Sequence, residues 1–240
     1  MNKYLILFAL ILIQGCSSSG SDSTFVPQVA DEDATGVWEG TFTENGVGTF
    51  SLTGIVEGKQ LRFISTEAGA MYVGTAAVSG TSFTSTVTGY EIEGTVFTTA
   101  NLTGIVATKS SINGTFTSSN GSTGSFSLAY DTVTEKGSSL AITDGNWTQT
   151  VNTTVTTTIS IDSEGKVTGS NGVCVYLGSV SIIDPTVNIY GLSLSASSCG
   201  VYDGAYTGYI VISDNVSTND TLTFVVNNPN YVLIGELTRT

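Results

Sequence analysis

Histidine is missing from the sequence, and cysteine is scarce, with three residues in a chain of 240. Histidine is the commonest general base in enzymes and a frequent ligand of zinc and copper. Its absence excludes catalytic triads and dyads built on an imidazole, together with zinc and copper sites of ordinary composition. We therefore expect a protein that is not an enzyme, with no catalytic residue, no metal site and no cofactor.

Charged side chains are also scarce, at 11% of the chain, and most are acidic: 20 Asp and Glu against 7 Lys and Arg. The formal net charge of −13 repels nucleic acids and anionic headgroups, so neither is an expected partner. Only three prolines occur, which suits uninterrupted strand ladders. Thr, Ser, Asn and Gly supply the polarity instead, and they favour strands and turns over helices.

The first residues form a short apolar leader. Lys3 provides a positive charge, and residues 5–13 are an unbroken apolar run. This run is too short to cross a bilayer as a stable helix, and no basic flank follows it. The pattern is typical of a signal peptide for export.

The leader ends in Ile13-Gln14-Gly15-Cys16, which resembles the lipobox of bacterial lipoproteins. In that family a diacylglycerol is attached to the cysteine thiol, and signal peptidase II cuts before it. The resemblance implies a signal peptide over residues 1–15 and a lipid anchor at Cys16. Ser17 stands where Asp is the usual inner-membrane retention signal of that family, so the resemblance favours the outer membrane.

Residues 17–35 contain mainly small and acidic residues without periodicity. Such a composition predicts a flexible tether, which as a random coil would reach about 24 Å root-mean-square. The acidic run Asp31-Glu32-Asp33 is expected to be solvated rather than bound to a metal. Together with Cys16, this segment makes residues 16–35 a lipidated spacer.

From Gly36 onward, the chain consists of short segments with alternating apolar and polar residues, separated by turn residues. One segment carries Val151, Thr153, Val155, Thr157, Ile159 and Ile161 on one face. Turn chemistry lies at residues 119–121, at residues 162–166 and at Asp184-Pro185. The pattern predicts an all-β, antiparallel fold with no helix after the leader.

The chain also repeats itself. Four pairs of segments match in order: Gly36-Val37-Trp38 with Gly145-Asn146-Trp147, Gly58-Lys59 with Gly165-Lys166, residues 72–75 with 176–179, and residues 113–117 with 203–207. We predict a first β unit over residues 36–137 and a second over residues 138–240. Each has room for about eight antiparallel strands in an up-and-down barrel or closed meander. Whether they form separate barrels or one joint structure stays open.

Gly145-Asn146-Trp147 together with Arg239 is similar to the pattern of the calycins, the lipocalin-like barrels. That group places Gly-x-Trp on the first strand and stacks an Arg from the last strand over the Trp. The resemblance implies that Trp38, Trp147 and Arg239 plug the barrel floors. The first unit offers no matching Arg, and Lys136 is its nearest basic residue. An eight-stranded interior is filled by side chains or holds one small ligand.

If Cys16 carries lipid, Cys174 and Cys199 remain as a pair. Their residue numbers have the same sum as those of Ile183 and Tyr190, which flank the turn at Asp184-Pro185. In an antiparallel hairpin, the residue numbers of every opposite pair add up to the same value. The two thiols should therefore meet at the open end of this hairpin. We predict a disulfide closing a loop of about 25 residues.

Carboxylates are the remaining candidates for chemistry. Glu91 and Glu93 lie on one strand face, about 6.5–7 Å apart, a spacing at which a glycosidase-like pair can be drawn. Solvated acids on the outer face are the preferred interpretation. Asp162 and Glu164 superficially resemble a calcium loop but lack its twelve-residue spacing, so a hairpin turn is preferred.

Two functional hypotheses remain. The first is a non-catalytic outer-membrane lipoprotein that acts as a binding, interaction or structural module of the cell envelope, recognising a protein or glycan. The alternative is a carrier of a small apolar ligand inside a calycin-like barrel. Five tyrosines of the second unit are candidate ligand walls: Tyr176, Tyr190, Tyr206, Tyr209 and Tyr231.

Overall fold

The computed structural model describes residues 30–92, 94–152 and 155–240. The predicted signal peptide, Cys16, the first part of the predicted tether and Glu93 lie outside these residues. The described chain is all-β and forms two closed antiparallel barrels of eight strands each. This confirms the predicted fold class and answers the question that the sequence left open, because each unit closes on itself.

The first barrel is an up-and-down meander, and its strands are β1 (Gly36–Glu44), β2 (Gly48–Glu57), β3 (Gln60–Ser65), β4 (Ala70–Ser79), β5 (Ser82–Glu91), β6 (Val96–Ala107), β7 (Ser111–Ser118) and β8 (Thr123–Asp131). Strand β8 pairs with β1, with Tyr130 opposite Trp38. Alternation along the strands produces the interior: in β8, Phe126 and Leu128 are buried while Ser125 and Ser127 stay exposed, and in β5, Phe83, Ser85 and Val87 are buried while Thr84 and Thr86 stay exposed.

The second barrel has the same topology, with strands β9 (Gly145–Asn152), β10 (Val155–Ile161), β11 (Lys166–Ser170), β12 (Val175–Ile182), β13 (Tyr190–Ser197), β14 (Gly204–Ser213), β15 (Thr221–Asn227) and β16 (Val232–Arg239). Strand β16 pairs with β9, with Arg239 opposite Trp147. The first barrel closes through eight residue pairs between β1 and β8, whereas the second closes through two, Thr238 with Thr148 and Arg239 with Trp147.

Short helical turns contradict the prediction of no helix. They are a 3-10 turn at Thr132–Lys136, helix α1 at Leu140–Thr143 and a 3-10 turn at Gly200–Tyr202. The first begins at Asp131, whose carboxylate accepts a hydrogen bond from the Val133 N–H at 2.9 Å. Elements of three to five residues are too short to show helical periodicity in a sequence, so the pattern did not indicate them.

The barrel topology tests the four repeat matches. Trp38 and Trp147 lie on the first strand of their barrels, Gly58 and Gly165 lie in the turn after the second strand, and residues 72 and 176 lie on the fourth. The fourth match is wrong. Residues 113–117 lie in β7, whereas residues 203–207 lead into β14, which is the counterpart of β6. Strands of Thr, Gly and alternating apolar residues resemble one another, so an alignment can slip by a whole strand.

A third apolar cluster joins the two barrels through their outer faces. The first barrel contributes Val37, Ile55, Ile64, Met71 and Tyr90, and the second contributes Ile189, Tyr209, Val211, Val225 and Val232. As a result, β3 is buried on both faces after its first residue. The Asn188 side chain between the barrels donates hydrogen bonds to the carbonyls of Val133 and Ile212. The barrels are separate closed sheets that share a core between them.

The acidic run before β1 is hydrogen-bonded to the first barrel, while Asp31 and Asp33 stay exposed to solvent as predicted. The Asp31 carboxylate accepts a hydrogen bond from the Gly80 N–H at 2.7 Å, and the Glu32 carboxylate accepts one from the Thr108 N–H at 2.7 Å. The Asp33 N–H donates to the Thr108 hydroxyl. The hydrogen bonds from Thr108 lower the pKa of Glu32. Within the predicted tether of residues 17–35, Asp31, Glu32 and Asp33 are therefore held against the first barrel.

Candidate functional site

The floor of the second barrel is closed by Trp147 and Arg239. Trp147 is fully buried, and its indole N–H donates to the Thr143 carbonyl at 3.0 Å. The Arg239 guanidinium lies 4.2 Å from the centre of the indole ring. It also donates hydrogen bonds to the carbonyls of Asn219, Asp144 and Ile142. The guanidinium thus ties the last strand to two neighbouring turns while it stacks on the tryptophan.

The first barrel has the same floor with a different partner. The Trp38 indole N–H donates to the Ala34 carbonyl at 2.9 Å, which mirrors the bond of Trp147. Tyr130 stands in the place of the arginine, with its ring edge-on to Trp38 at 5.3 Å between centroids. Because the sequence pattern called for a basic residue at this position, it did not indicate Tyr130. The nearest basic residue, Lys136, instead forms a salt bridge with Asp214, with 2.6 Å between Nζ and Oδ2. In both barrels, the residue that covers the tryptophan is the one paired with it on the last strand.

Glycine precedes both tryptophans for a steric reason. Gly36 and Gly145 have φ values of 148° and 142°, a region that favours glycine. A Cβ atom at Gly36 would come within 2.6 Å of the Tyr130 ring, and one at Gly145 within 2.7 Å of the Arg239 guanidinium. The Gly-x-Trp spacing therefore leaves room for the group that covers the tryptophan.

At its other end, the first barrel is nearly filled by aromatic rings. A cavity of about 60 Å³ remains, and six rings line it: Phe42, Phe63, Tyr72, Phe97, Phe116 and Phe126. Phe42 lies at 6.1 to 6.3 Å, ring centre to ring centre, from Phe116 and Tyr72 in edge-on contacts. Burial raises the pKa of Tyr72, so its hydroxyl stays neutral. Little space is left here for a ligand.

The second barrel keeps a larger and mainly aliphatic cavity of about 170 Å³. Its apolar walls include Ile159, Val167, Leu192, Leu194, Ile210, Leu222 and Leu237. The polar wall groups come from Gln149, Thr157, Asn171 and Tyr176, which lie toward the end away from Trp147. The Asn171 side-chain amide donates to the Tyr176 hydroxyl at 3.3 Å. The arrangement is an apolar chamber with hydrogen-bonding groups toward the end away from Trp147.

The two interiors differ in free volume because the two units contain different numbers of phenylalanines. Of the ten phenylalanines in the chain, seven fall within residues 36–137 and only Phe224 falls within residues 138–240. Branched aliphatic side chains fill less of an eight-stranded interior than rings do, so the second barrel retains space. This asymmetry is visible in the sequence, and it is the signal that could have assigned the cavity to the second unit.

The five tyrosines predicted as ligand walls take different positions. Tyr176 lines the cavity. Tyr190 is fully buried in the core of the second barrel, and its hydroxyl exchanges hydrogen bonds with the backbone of Ser139. The Tyr206 hydroxyl donates to the Tyr202 carbonyl at 2.8 Å, and Tyr231 packs edge-on against the Tyr202 ring. Of the four tyrosines inside this barrel, Tyr176 alone is a wall of the cavity.

The fifth tyrosine, Tyr209, does not line the cavity of the second barrel as predicted. It lies on the outer face of β14, in the cluster between the barrels, and its hydroxyl donates to the Glu57 carbonyl at 3.3 Å. Burial raises the pKa of Tyr209. Its neighbour Ile210 points into the cavity instead, because successive residues of a strand face opposite sides.

The predicted disulfide between Cys174 and Cys199 is confirmed, with the two Cα atoms 4.7 Å apart. The predicted register is wrong by one residue, because Ile182 rather than Ile183 lies opposite Tyr190. Ser198 has φ of 61°, a left-handed conformation that turns the chain after β13. The bond links the loop after β11 to the loop after β13, at the end of the barrel away from Trp147.

Removing the disulfide tests its contribution to stability. We expect a Cys174→Ser/Cys199→Ser double variant to lose about 3 kcal/mol of unfolding free energy, because the cross-link restricts a loop of 25 residues in the unfolded chain. Urea unfolding measures the loss, with Cys16→Ser as the background for both proteins. Two free thiols in denatured, unreduced Cys16→Ser protein would contradict the disulfide itself.

The structure describes Glu91, Asp162 and Glu164 among the carboxylate candidates. Glu91 is exposed at the end of β5, and its predicted partner Glu93 lies outside the described residues. The Asp162 carboxylate accepts hydrogen bonds from the N–H groups of Glu164 and Lys166, at 3.0 and 2.8 Å, as a hairpin turn requires. Over the described ranges, no three or more Cys, Asp or Glu side chains are grouped closely enough to hold a metal ion.

No protein family model, curated protein or solved structure matches the chain. Within residues 30–92, 94–152 and 155–240, no helix is long and apolar enough to cross a membrane.

Proposed function

We propose that the protein is a non-catalytic lipoprotein of the cell envelope whose second barrel binds a small apolar ligand. The proposed anchor is Cys16, and the leader that ends in Ile13-Gln14-Gly15-Cys16 supports it. The proposed location is the outer membrane, supported by Ser17. The described chain begins at the closed floor of the first barrel, beside Trp38, and the aromatic end of that barrel lies opposite.

The cavity in the second barrel is the observation that carries the ligand proposal. Apolar cavities of about 150 Å³ in other proteins stay dry and accept benzene or xenon. The cavity of about 170 Å³ has that capacity, and its walls are mainly Ile, Leu and Val. Water inside would find few partners there, so an apolar ligand gains free energy by entering. The ligand is therefore of benzene's size, or is the apolar end of a longer molecule.

The polar groups of the wall limit how such a ligand lies. Gln149 and Thr157 are opposite one another on β9 and β10, and Asn171 and Tyr176 lie on either side of the loop after β11. Together they place amide and hydroxyl groups near one end of an otherwise apolar chamber. A ligand with one polar atom is expected to direct that atom toward these residues, because an unpaired polar atom among aliphatic walls is unfavourable.

A matched pair of variants tests the proposal. Leu194 lines the cavity, whereas Leu177 lies on the outer face of β12 and is 53% exposed. We expect the purified full chain and its Leu177→Phe variant to bind benzene saturably in ligand-observed NMR. Leu194→Phe is expected to weaken binding by about tenfold or more, because the ring occupies the space of the ligand.

Absence of saturable benzene binding to the unmodified chain, or equal binding to Leu194→Phe, would overturn the carrier proposal. The protein would then act through its outer surface, as an interaction module for a protein or glycan. One observation favours a surface near the disulfide for that role. Val173, Val201 and Leu177 there are 72%, 67% and 53% exposed.

A further inference from the structure

A groove separates the two barrels on one side of their shared apolar cluster and has a volume of about 360 Å³. Its walls carry one amide and four hydroxyl groups, from Gln60 of the first barrel and Ser179, Ser181, Ser193 and Thr207 of the second. All five of these residues are exposed at the groove surface. The groove is more polar than either barrel cavity, although Ile183 and Leu192 also line it, so it suits a different class of ligand.

Arg62 of β3 forms part of the groove wall, and it is only 5% exposed. Its Nη2 donates to the Thr207 carbonyl at 3.2 Å and to the Asn227 side-chain oxygen at 3.0 Å. The guanidinium also lies 4.5 Å from the centre of the Tyr209 ring. These contacts hold the group between the barrels, but none of them neutralises its charge.

The remaining donors of Arg62 are unused. Its Nε and Nη1 are buried and have no hydrogen-bond partner in the described chain. The salt bridges of the described residues are Lys109–Glu135 and Lys136–Asp214, so Arg62 has no carboxylate partner there. Burial lowers the pKa of Arg62 from its ordinary value, as expected for a charge removed from water. A buried, unpaired guanidinium is costly, and an anion in the groove would remove that cost.

The geometry points to a binding site for a sugar acid, such as a uronate, in the groove between the barrels. A guanidinium presents two parallel N–H groups to a carboxylate, and the hydroxyl and amide groups of the walls suit the ring hydroxyls of a sugar. The net charge of −13 opposes the approach of polyanions, which favours a ligand with one carboxylate. Because Nε and Nη1 are buried behind the groove wall, binding of the carboxylate requires the guanidinium to turn toward the groove.

Calorimetric titration of the full chain with glucuronate tests the inference, with glucose as the neutral sugar of the same ring. We expect saturable binding of glucuronate and binding of glucose that is about tenfold weaker or undetectable. Arg62→Met keeps the apolar stem but removes the charge, and it is expected to weaken glucuronate binding by about tenfold or more. Lys59→Met makes the same change of charge at an exposed turn next to the groove, and it is expected to change the affinity by less than about twofold.

Two outcomes would overturn the inference: no saturable binding of glucuronate, or equal affinities of Arg62→Met and the unmodified chain. Because Arg62 also joins the barrels, its variant is first checked by circular dichroism. If it does not fold, Gln60→Ala and Ser193→Ala take its place, since both residues are exposed on the groove wall. Each is expected to weaken glucuronate binding by about threefold, and unchanged affinity in both variants would contradict the site.

Discussion

Trp147→Ala is expected to lower the free energy of unfolding by about 3–5 kcal/mol, as the loss of a large buried ring does. Trp147 is fully buried at the floor of the second barrel, with Arg239 stacked on its ring. The substitution removes the packing of the floor and opens a cavity beneath the guanidinium. It also removes the donor to the Thr143 carbonyl. Trp147→Phe keeps a ring in place and should cost less.

Circular dichroism during urea unfolding measures the effect, because it follows the strands of both barrels. Tryptophan fluorescence adds a signal from a single barrel, because Trp38 and Trp147 are the only tryptophans of the chain. In Trp147→Ala the remaining signal comes from Trp38, so it reports on the first barrel directly. Trp38→Ala is the matched variant, and its signal reports on the second barrel. A loss below about 1 kcal/mol in Trp147→Ala would show that the floor does not stabilise the barrel, since ordinary surface substitutions stay near that range.

Val225→Asp is expected to separate the barrels. Val225 is fully buried on the outer face of β15, among the apolar residues shared by the two barrels. A carboxylate there would be buried without a partner. An uncompensated buried charge lowers the free energy of unfolding by about 3–5 kcal/mol. Each barrel retains its own closed ring of strands and its own core. We therefore expect the parent to unfold in one transition and Val225→Asp to unfold in two.

Differential scanning calorimetry distinguishes the outcomes. Val216→Asp provides the control, because it introduces the same charge at a residue that is 91% exposed in the loop between β14 and β15. It is expected to change stability by less than about 0.5 kcal/mol. If Val225→Asp unfolds in one transition at the temperature of Val216→Asp, the shared cluster does not couple the barrels.

Local chemistry accounts for what could be predicted. Alternation of apolar and polar residues with short turns indicated antiparallel strands, and the two Gly-x-Trp motifs indicated two units. The pairing of Cys174 with Cys199 followed from elimination and from the nearby turn. The one-residue error in register arose because Ile183 belongs to the loop rather than to β12. The length of a loop is not visible in the pattern of the strands that it joins.

Apart from Arg239, which the Gly-x-Trp pattern placed over Trp147, partners from distant parts of the chain could not be predicted. Tyr130 covers Trp38 only because β8 returns beside β1, and Tyr209 lies between the barrels only because they pack together. Arg62 illustrates the same point. It stands in an apolar stretch of β3, and its burial depends on Thr207, Tyr209 and Asn227 of the other barrel. An outward-facing residue looks the same in a sequence whether water or a second barrel covers it.

By itself, the sequence determined the fold class, the two-unit organisation and the disulfide, and it excluded histidine chemistry. These properties depend on periodicity, composition and residue type, which are local. Only the tertiary structure decided that each unit closes into its own barrel, that the second interior keeps a cavity and that a buried arginine lies between the barrels. Closure, residual volume and shared burial arise from distant segments packing together, so no single stretch of sequence carries them.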